Sequence, residues 1–257
     1  MYKIIADTLF TGKKVVYLPA CQSTNDIAAE LIEAEQATEG TVVVTDNQTN
    51  GRGQRGNHWQ AAPRQNLTLS VIWTPSFLRA ESCFALNMAI ALAVAETVSC
   101  FLPHTKVAVK WANDIYAEGT KISGILIENI LQGSQIKYSI VGIGLNVNQT
   151  DFHGIAATSL RCITGKWYDL NDVFCCLICQ LEKYYLQLQM QGQATIKAAY
   201  LRKMYRFGEY AAYTDLRGDS PFIFRGTIED VDAAGRLVVR TTTGTETFEL
   251  KQIQFNH

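Results

Sequence analysis

The stretch TNGRGQRGNHWQ, at residues 49–60, gathers three glycines and two arginines ahead of a tryptophan. Glycine lets the backbone approach a ligand closely because it has no Cβ atom, and arginine supplies a permanent cation with several hydrogen-bond donors. Together these residue types predict a loop that wraps a small anionic ligand. A basic surface turn would have the same composition, so the stretch alone leaves both interpretations open.

A second polar cluster is Ser23, Thr24 and Asn25, where a short predicted strand gives way to a helix. Their hydroxyl and amide groups could hold the polar, uncharged head of a ligand. The alternative is an ordinary helix start, with Asn25 or Asp26 as the capping residue.

The segment KWANDIYAEGTKISGILIE carries Lys110 and Lys121 on either side of an Asn113–Asp114 turn. We expect strand, turn and strand here, and a tight hairpin would bring the two ammonium groups to one place, where they suit a phosphate or a developing oxyanion. Asp114 could help to bind Mg²⁺, which prefers carboxylate and phosphate oxygens. The alternative is two solvated lysines beside a turn, with Trp111 in the core.

Several common catalytic patterns are missing from the sequence. No G-x-x-x-x-G-K-[ST] run is present, so the chain is not a P-loop protein, and GIGLNV at 142–147 lacks the third glycine of a dinucleotide fingerprint. No Ser-His-Asp or Cys-His arrangement suggests a protein nucleophile. A ligand's own carboxylate attacking a nucleotide phosphate stays compatible with the sequence, since that reaction needs only clamping groups and cations.

The elements that must position these clusters follow from hydrophobic periodicity. The β-branched run GTVVVTDNQ predicts a buried strand that leads into the glycine–arginine stretch, and NLTLSVIWTP predicts a second strand. SCFALNMAIALAVAETVSCFL predicts a buried helix, QIKYSIVGIGLNVNQ a further strand, and DLNDVFCCLICQLEKYYLQL and ATIKAAYLRKMYRFG two helices. Hairpins and helices mix rather than alternate as βαβα, so the predicted class is α+β.

The pattern changes at about Glu209. Short alternating strands follow, separated by RGDS, DAAG and TTTGT, which predicts a small antiparallel barrel. We therefore expect two domains, at residues 1–207 and 208–257.

Composition limits the partners and the compartment. The 257 residues are 47% hydrophobic and 18% charged with a net charge of −1, which argues against a general nucleic-acid-binding protein. The N-terminus has no secretory leader pattern and no stretch approaches the roughly 18 apolar residues of a membrane span, so we expect a cytoplasmic chain without membrane contact. The run CCLIC at 175–179 lies in a helical apolar pattern without a second Cys/His pair at zinc-site spacing, and it predicts core packing.

The motifs also carry a resemblance to a known family. GRGQRGNHW resembles the G-R-G-R-x-G motif and following tryptophan of biotin protein ligases, KWANDIY resembles their K-W-P-N-D segment, and KISGILIE their K-x-x-G-I-L-x-E segment. STN at 23–25, Gln48 and GIGLNVN complete the order, and the resemblance runs from about residue 15 to the end. It implies an α+β fold, a mixed β-sheet flanked by helices, with a small C-terminal SH3-like β-barrel.

The resemblance implies a reaction in two steps. The carboxylate of biotin attacks the α-phosphate of ATP, which Mg²⁺ accompanies, and gives biotinyl-5′-AMP and pyrophosphate. A lysine of a biotin carboxyl carrier protein domain, part of a carboxylase, then takes the biotinyl group and releases AMP. Both reactive groups belong to substrates, so the enzyme supplies positioning, charge neutralisation and exclusion of water.

The resemblance also implies the site residues. The implied catalytic residues are Lys121, Arg52 and Lys110. The implied biotin-binding residues are Ser23, Thr24, Asn25, Gln48, Gly51, Arg52, Gly53, Trp59, Lys121 and Gly124. The implied ATP- and adenylate-binding residues are Arg52, Gln54, Arg55, Lys110, Asn113, Asp114, Lys121 and Asn146, with Asp114 also the expected Mg²⁺ ligand.

Two positions depart from the family's motifs. Gln54 stands where the family commonly has arginine, which predicts weaker retention of biotinyl-AMP unless Gln54 hydrogen-bonds there and Arg55 supplies the charge. Ala112 replaces the usual proline of K-W-P-N-D, which predicts a softer turn.

Rival functions are weighed against the same motifs. The ligase motifs begin at Ser23, so we expect no N-terminal helix-turn-helix, no DNA binding and no repressor function. A lipoate–protein ligase would carry an R-R-x-S-G-G-G loop, which is not matched. A non-catalytic biotin- or nucleotide-binding regulator would have no need of a phosphate clamp.

Overall fold

A seven-stranded sheet organises the larger part of the structure, a computed structural model that describes residues 7–218 and 220–256 apart from the side chain of Arg55. The strand order is β1-β2-β3-β7-β6-β5-β4; β1 and β2 run parallel, and the other neighbours are antiparallel. The strands are β1 (Val15–Leu18), β2 (Thr41–Thr45), β3 (Asn66–Trp73), β4 (Val107–Lys110), β5 (Asp114–Ala117), β6 (Thr120–Gln132) and β7 (Gln135–Asn146).

Helices cover both faces of this sheet. In the described part of the chain they are α1 (Thr24–Glu33), α2 (Phe84–Phe101), α3 (Leu160–Thr164), α4 (Leu170–Gln191) and α5 (Gln193–Lys203). On one face Ala28 of α1 meets Val43 and Ile72. The alternate residues Val42 and Val44 point to the other face, where they join the large apolar cluster of α2, α4 and α5. The predicted α+β class, a mixed sheet flanked by helices, is confirmed.

The helix α2 is more apolar than the sequence analysis allowed for. Residues Ala80–Phe101 are long and apolar enough to cross a membrane by length and composition, so the expectation that no stretch approaches a membrane span is wrong here. Of the most apolar 18-residue window in this segment, 72% is nevertheless buried inside the fold, and α2 packs against α4 and α5. A helix that is apolar on all sides is typical of a core position.

Between β4 and β6 the chain forms a three-stranded meander, and the single hairpin that we expected is wrong. Asn113 lies in the first turn, Asp114 opens β5, and Gly119, with φ of 76°, completes a second turn. The sequence interpretation merged two sets of turn-forming residues into one turn. Lys110 on β4 and Lys121 on β6 therefore flank β5 instead of facing each other across one turn.

The start of α1 also differs from the expectation. Ser23 is its capping residue, with extended backbone angles and no capping hydrogen bond from its side chain, so a cap at Asn25 or Asp26 is wrong. The amide of Asn25 is engaged instead by Ser70 on β3 and Glu128 on β6.

The C-terminal part forms a second, antiparallel sheet in the order β11-β10-β9-β8-β12. Its strands are β8 (Tyr210–Asp215), β9 (Phe222–Val231), β10 (Leu237–Thr241), β11 (Thr245–Phe248) and β12 (Ile253–Phe255). No pairing between the edge strands β11 and β12 is found among the described residues, so closure into an SH3-like barrel stays a prediction. The boundary at 207/208 also stays a prediction, and Tyr213 and Val239 join the same apolar cluster as α2.

Candidate functional site

A cavity of about 540 Å³ lies on the face of the large sheet that also carries α1. The glycine–arginine loop (residues 49–60) forms one wall, and the C-terminal sheet forms another. Of the predicted site residues, the cavity is lined by Ser23, Thr24, Asn25, Gln48, Arg52, Gly53, Gln54, Trp59, Lys110, Asn113, Asp114, Lys121 and Gly124. The structure therefore brings the three polar clusters of the sequence together.

One end of the cavity, the polar corner, consists of Ser23, Thr24, Asn25 and Gln48. The first three residues are at most 4% exposed. Gln48 Oε1 accepts a hydrogen bond from the Thr24 backbone N–H at 2.8 Å. The Ser70 hydroxyl lies 2.7 Å from Thr24 Oγ1 and 2.6 Å from Asn25 Oδ1. Buried donors and acceptors that are fixed in this way suit a neutral polar ligand head, because burying a neutral head costs far less than burying a charge.

A glycine floor, made of Gly124 and Gly144, lies next to the polar corner. The two glycines are cross-strand partners on β6 and β7, and the indole ring of Trp59 lies against both. A Cβ atom at Gly144 would stand 2.6 Å from Trp59 Nε1, and one at Gly124 would stand 3.4 Å from Trp59 Cζ3. At Gly142, an added Cβ would stand 2.5 Å from Asn25 Oδ1. The glycines of β7 thus make the room that Trp59 and Asn25 occupy.

Gly51 lies behind the cavity wall. An added Cβ there would stand 2.6 Å from Gln48 Nε2, so glycine lets the base of the loop rest on the polar corner. The Trp59 backbone N–H donates to the Gly51 carbonyl at 2.9 Å and closes the loop. Within the described part of the chain, Trp59 Nε1 is buried without a hydrogen-bond partner.

The other end of the cavity is cationic. Its described lining residues include the cations Lys110, Lys121 and Lys251 and one carboxylate, Asp114. Lys121 Nζ lies 2.6 Å from Asp114 Oδ1, and Lys110 Nζ donates to the Tyr116 hydroxyl at 2.9 Å. An excess of positive charge in a cleft attracts a polyanion such as a nucleotide phosphate.

Two carboxylates hold Arg52. Its Nη1 lies 2.5 Å from Asp26 Oδ1, and its Nη2 lies 3.3 Å from Glu128 Oε2. The hydrogen bond to Asp26 is the main reason why the pKa of Arg52 is raised above its ordinary value. Glu128 Oε2 also accepts a hydrogen bond from Asn25 Nδ2 at 2.6 Å. One carboxylate therefore joins the loop to the polar corner.

Two of the predicted site residues, Asn146 and Asn113, have side-chain amides that donate to backbone carbonyls of the protein. Asn146 is buried outside the cavity wall; its Nδ2 donates to the Thr158 carbonyl at 3.0 Å, and its Oδ1 has no partner among the described residues. Asn113 lines the cavity, but its amide donates to the Ile125 carbonyl and so fixes the turn to β6. The side chain of Arg55 lies outside the described residues.

Sequence reasoning missed the contribution of the C-terminal sheet. The lining residues from this part are Leu216, Leu250, Lys251, Ile253, Gln254 and Phe255. The ring centroid of Phe255 lies 5.3 Å from Lys110 Nζ, which links β12 to the cationic end. No local motif marks these residues, because only the tertiary fold brings them to the cavity. Asp26 and Glu128 do lie in or beside quoted motifs, but their spacing in the sequence does not indicate that both contact Arg52.

Comparison with known proteins identifies the family that this fold and sequence resemble. The model of the Biotin/lipoate A/B protein ligase family matches residues 17–146. The chain is 30% identical over 238 residues to the bifunctional ligase/repressor BirA of Bacillus spizizenii, covering 91% of this chain and 71% of the relative. It is 27% identical over 242 residues to a biotin–[acetyl-CoA-carboxylase] ligase of Paracoccus denitrificans, covering 90% of this chain and 98% of the relative. The solved biotin protein ligase from Aquifex aeolicus in complex with biotin and ATP superimposes with a TM-score of 0.78 at 25% identity, covering 95% of this chain and 99% of that one.

Proposed function

This chain belongs to the biotin/lipoate A/B protein ligase family, and from that premise we propose that it is an ATP-dependent biotin–protein ligase whose cavity binds biotin and ATP. The observation that carries the proposal is that a buried neutral corner, a glycine floor and a cationic end follow one another in one cavity. This order matches a ligand with a neutral ring at one end and a carboxylate, to be joined to a phosphate, at the other.

The reaction proceeds in two displacements. An oxygen of the biotin carboxylate forms a bond to the α-phosphorus of ATP, and the bond from that phosphorus to the bridging oxygen breaks as pyrophosphate leaves with the electron pair. The neutral amine of an acceptor lysine then attacks the acyl carbon. AMP leaves with the electron pair of the acyl–oxygen bond, and the amine proton passes to water.

The polar corner recognises the ureido ring of biotin. Ser23, Asn25 and Gln48 offer hydroxyl and amide groups to the ring's N–H and C=O groups. The biotin chain then runs along the indole ring of Trp59, which can lie against the sheet there because Gly124 and Gly144 have no side chains.

The cationic end carries the chemistry. Lys121 neutralises charge on the carboxylate and the α-phosphate, and Lys110 does so on the departing phosphates. Mg²⁺ that arrives with ATP would supply further charge neutralisation, and the carboxylate of Asp114, which faces the cavity, fits as its protein ligand. Asp114 is already paired with Lys121, so Lys121 and Mg²⁺ would share the negative charge of this carboxylate.

The remaining nucleotide assignments rest on the same family membership. Gln54 and Asn113 line the cavity and are proposed to contact the nucleotide. Asn146 lies outside the wall, so we assign it a supporting role through the segment that contains Thr158. The acceptor is proposed to be the biotin carboxyl carrier protein domain of a carboxylase, and the location cytoplasmic.

The test is biotin-dependent exchange of labelled pyrophosphate into ATP. We expect exchange that requires biotin and ignores lipoate, and Lys121→Ala should lower it on the order of 10²- to 10³-fold because a charge-stabilising group is lost. Lys183→Ala, which changes an exposed lysine on α4, is the matched control. A folded wild-type protein that binds biotin but shows no exchange would instead indicate a non-catalytic regulator.

A further inference from the structure

The ion pairs of Arg52 attach the glycine–arginine loop to the body of the protein. Asp26 belongs to α1 and Glu128 to β6, so one guanidinium joins three parts of the fold. Among the described residues, the other hydrogen bonds of residues 51–58, such as those of Gly53 with Asn57, stay within the loop or close its base. In the described part of the loop, Arg52 is therefore the side chain whose polar contacts reach from the middle of the loop to α1 and the sheet.

The charge of Arg52 is already balanced by these partners. Both carboxylates are about two-fifths exposed, at 42% for Asp26 and 43% for Glu128. Turning the guanidinium towards a phosphate would leave both carboxylates without their cation. Lys110 and Lys121 line the same cavity and can supply the charge that a phosphate requires.

Glu128 has a second contact that reaches the polar corner. Its Oε2 accepts a hydrogen bond from Asn25 Nδ2, which leaves Asn25 Oδ1 turned to the Ser70 hydroxyl. This bond fixes which side of the amide is donor and which is acceptor. The carboxylate of Glu128 thus holds the loop through Arg52 and orients the side-chain amide of Asn25 in the polar corner.

We propose that Asp26 and Glu128 are positioning residues of the ligase: they hold Arg52, and with it the loop, closed over biotinyl-AMP, and Glu128 also orients Asn25 for biotin. Arg52 is on this view a loop anchor rather than the cation that neutralises phosphate. The inference rests on the proposed function for its kinetic consequences, but the attachment of the loop can be measured without it.

The kinetic test compares release of biotinyl-AMP with the KM for biotin. In Glu128→Gln the amide oxygen still accepts from Asn25 while the charge is lost, so release should accelerate with little change in the biotin KM. Glu128→Ala loses both contacts and should raise the biotin KM as well. The double variant Asp26→Asn/Glu128→Gln should release biotinyl-AMP roughly tenfold faster, since each half-exposed ion pair contributes only a few-fold. Glu229→Gln breaks the Arg240–Glu229 ion pair of 2.8 Å in the C-terminal sheet and is the matched control.

A double-mutant cycle with Arg52→Ala decides between the two roles of Arg52. If Arg52 acts through the carboxylates, adding Asp26→Asn and Glu128→Gln to Arg52→Ala should not change the rate of biotinyl-AMP release any further. Additive effects on release would overturn the proposal, because Arg52 would then act on the ligand independently of Asp26 and Glu128.

Tryptic cleavage within residues 51–59 of the unliganded protein gives a readout that needs no activity. We expect Asp26→Asn/Glu128→Gln to be cut several-fold faster than wild type and than Glu229→Gln, at an unchanged Tm. Equal cleavage rates would overturn the loop attachment even if the ligase reaction is confirmed. A wild type without biotin-dependent exchange would refute the proposed function, while the cleavage rates would still decide the attachment.

Discussion

Replacing Gly144 by alanine tests whether the glycine floor controls biotin binding through Trp59. The added Cβ would overlap Trp59 Cε2, its nearest neighbour, and would stand 2.6 Å from Trp59 Nε1, while non-bonded atoms in contact stay about 3.5–4.0 Å apart. The indole ring must therefore withdraw by on the order of 1 Å, towards the space that biotin is proposed to use. Overpacking of this kind costs about 1–3 kcal/mol. If this free energy is lost from biotin binding, the KM for biotin rises roughly 5- to 150-fold.

The assay is pyrophosphate exchange at saturating ATP with biotin varied, together with a thermal melt of each variant. Gly218→Ala is the matched control, because its added Cβ would meet only Ser220 O at an ordinary 3.8 Å. In a Trp59→Ala background, Gly144→Ala should have no further effect on the biotin KM, since the ring it displaces is gone. A folded Gly144→Ala enzyme whose biotin KM stays within about twofold of wild type would refute the reasoning, because 1 kcal/mol already corresponds to more than that.

Three further predictions concern retention of the intermediate, stability and thiol reactivity. Gln54→Arg should slow release of biotinyl-AMP by roughly threefold to tenfold because it adds a cation at the cavity wall, and equal off-rates would count against a role for this position. Tyr200→Phe should lower the free energy of unfolding by about 1 kcal/mol in urea titrations: the buried hydroxyl donates to the Ala112 carbonyl at 2.9 Å, and a second donor still serves that carbonyl. Burial, with a smaller contribution from a neighbouring thiol, raises the pKa of Cys176 to about 12, so the thiol stays protonated at pH 8. Iodoacetamide should alkylate it at least roughly tenfold more slowly than the exposed Cys83, as measured by mass spectrometry; similar rates would contradict the pKa shift.

The strands and helices with strong local patterns could be predicted from the sequence. β2 is a β-branched run with every residue buried, and α2 is a predominantly apolar helix, so local preference and burial agree in both. The prediction of a single hairpin between β4 and β6 was wrong because the sequence offers two sets of turn residues. Only the sheet registry shows that both sets form turns. The prediction of the α1 capping residue was wrong because the side chain of Asn25 forms tertiary hydrogen bonds with Ser70 and Glu128.

The candidate site divides in the same way. The three polar clusters were visible because each concentrates polar or glycine residues in an apolar sequence, and all three line one cavity. Their roles towards biotin and ATP stay predictions. Lys251 and Phe255 could not be found, because alternating strand sequences look alike whether or not they border a cavity. Arg52 was found, but its carboxylate partners depend on α1 and β6 meeting the loop.

Strand registry explains why motifs far apart in the sequence border one cavity. Thr68, Gly144, Gly124, Asp114 and Lys110 are successive cross-strand partners on β3, β7, β6, β5 and β4. At the usual spacing of neighbouring strands, this row spans about 19 Å. It passes from a hydroxyl, over two residues without side chains, to a carboxylate and an ammonium group. Because both central strands carry glycine, the indole ring of Trp59 can lie against the middle of this row. On the proposed function, the biotin chain crosses the sheet along this ring and its carboxylate is directed to β5 and β4. A side chain at Gly144 would displace the ring, so on that proposal the glycines of KISGILIE and GIGLNVN serve a two-substrate site together with the lysines.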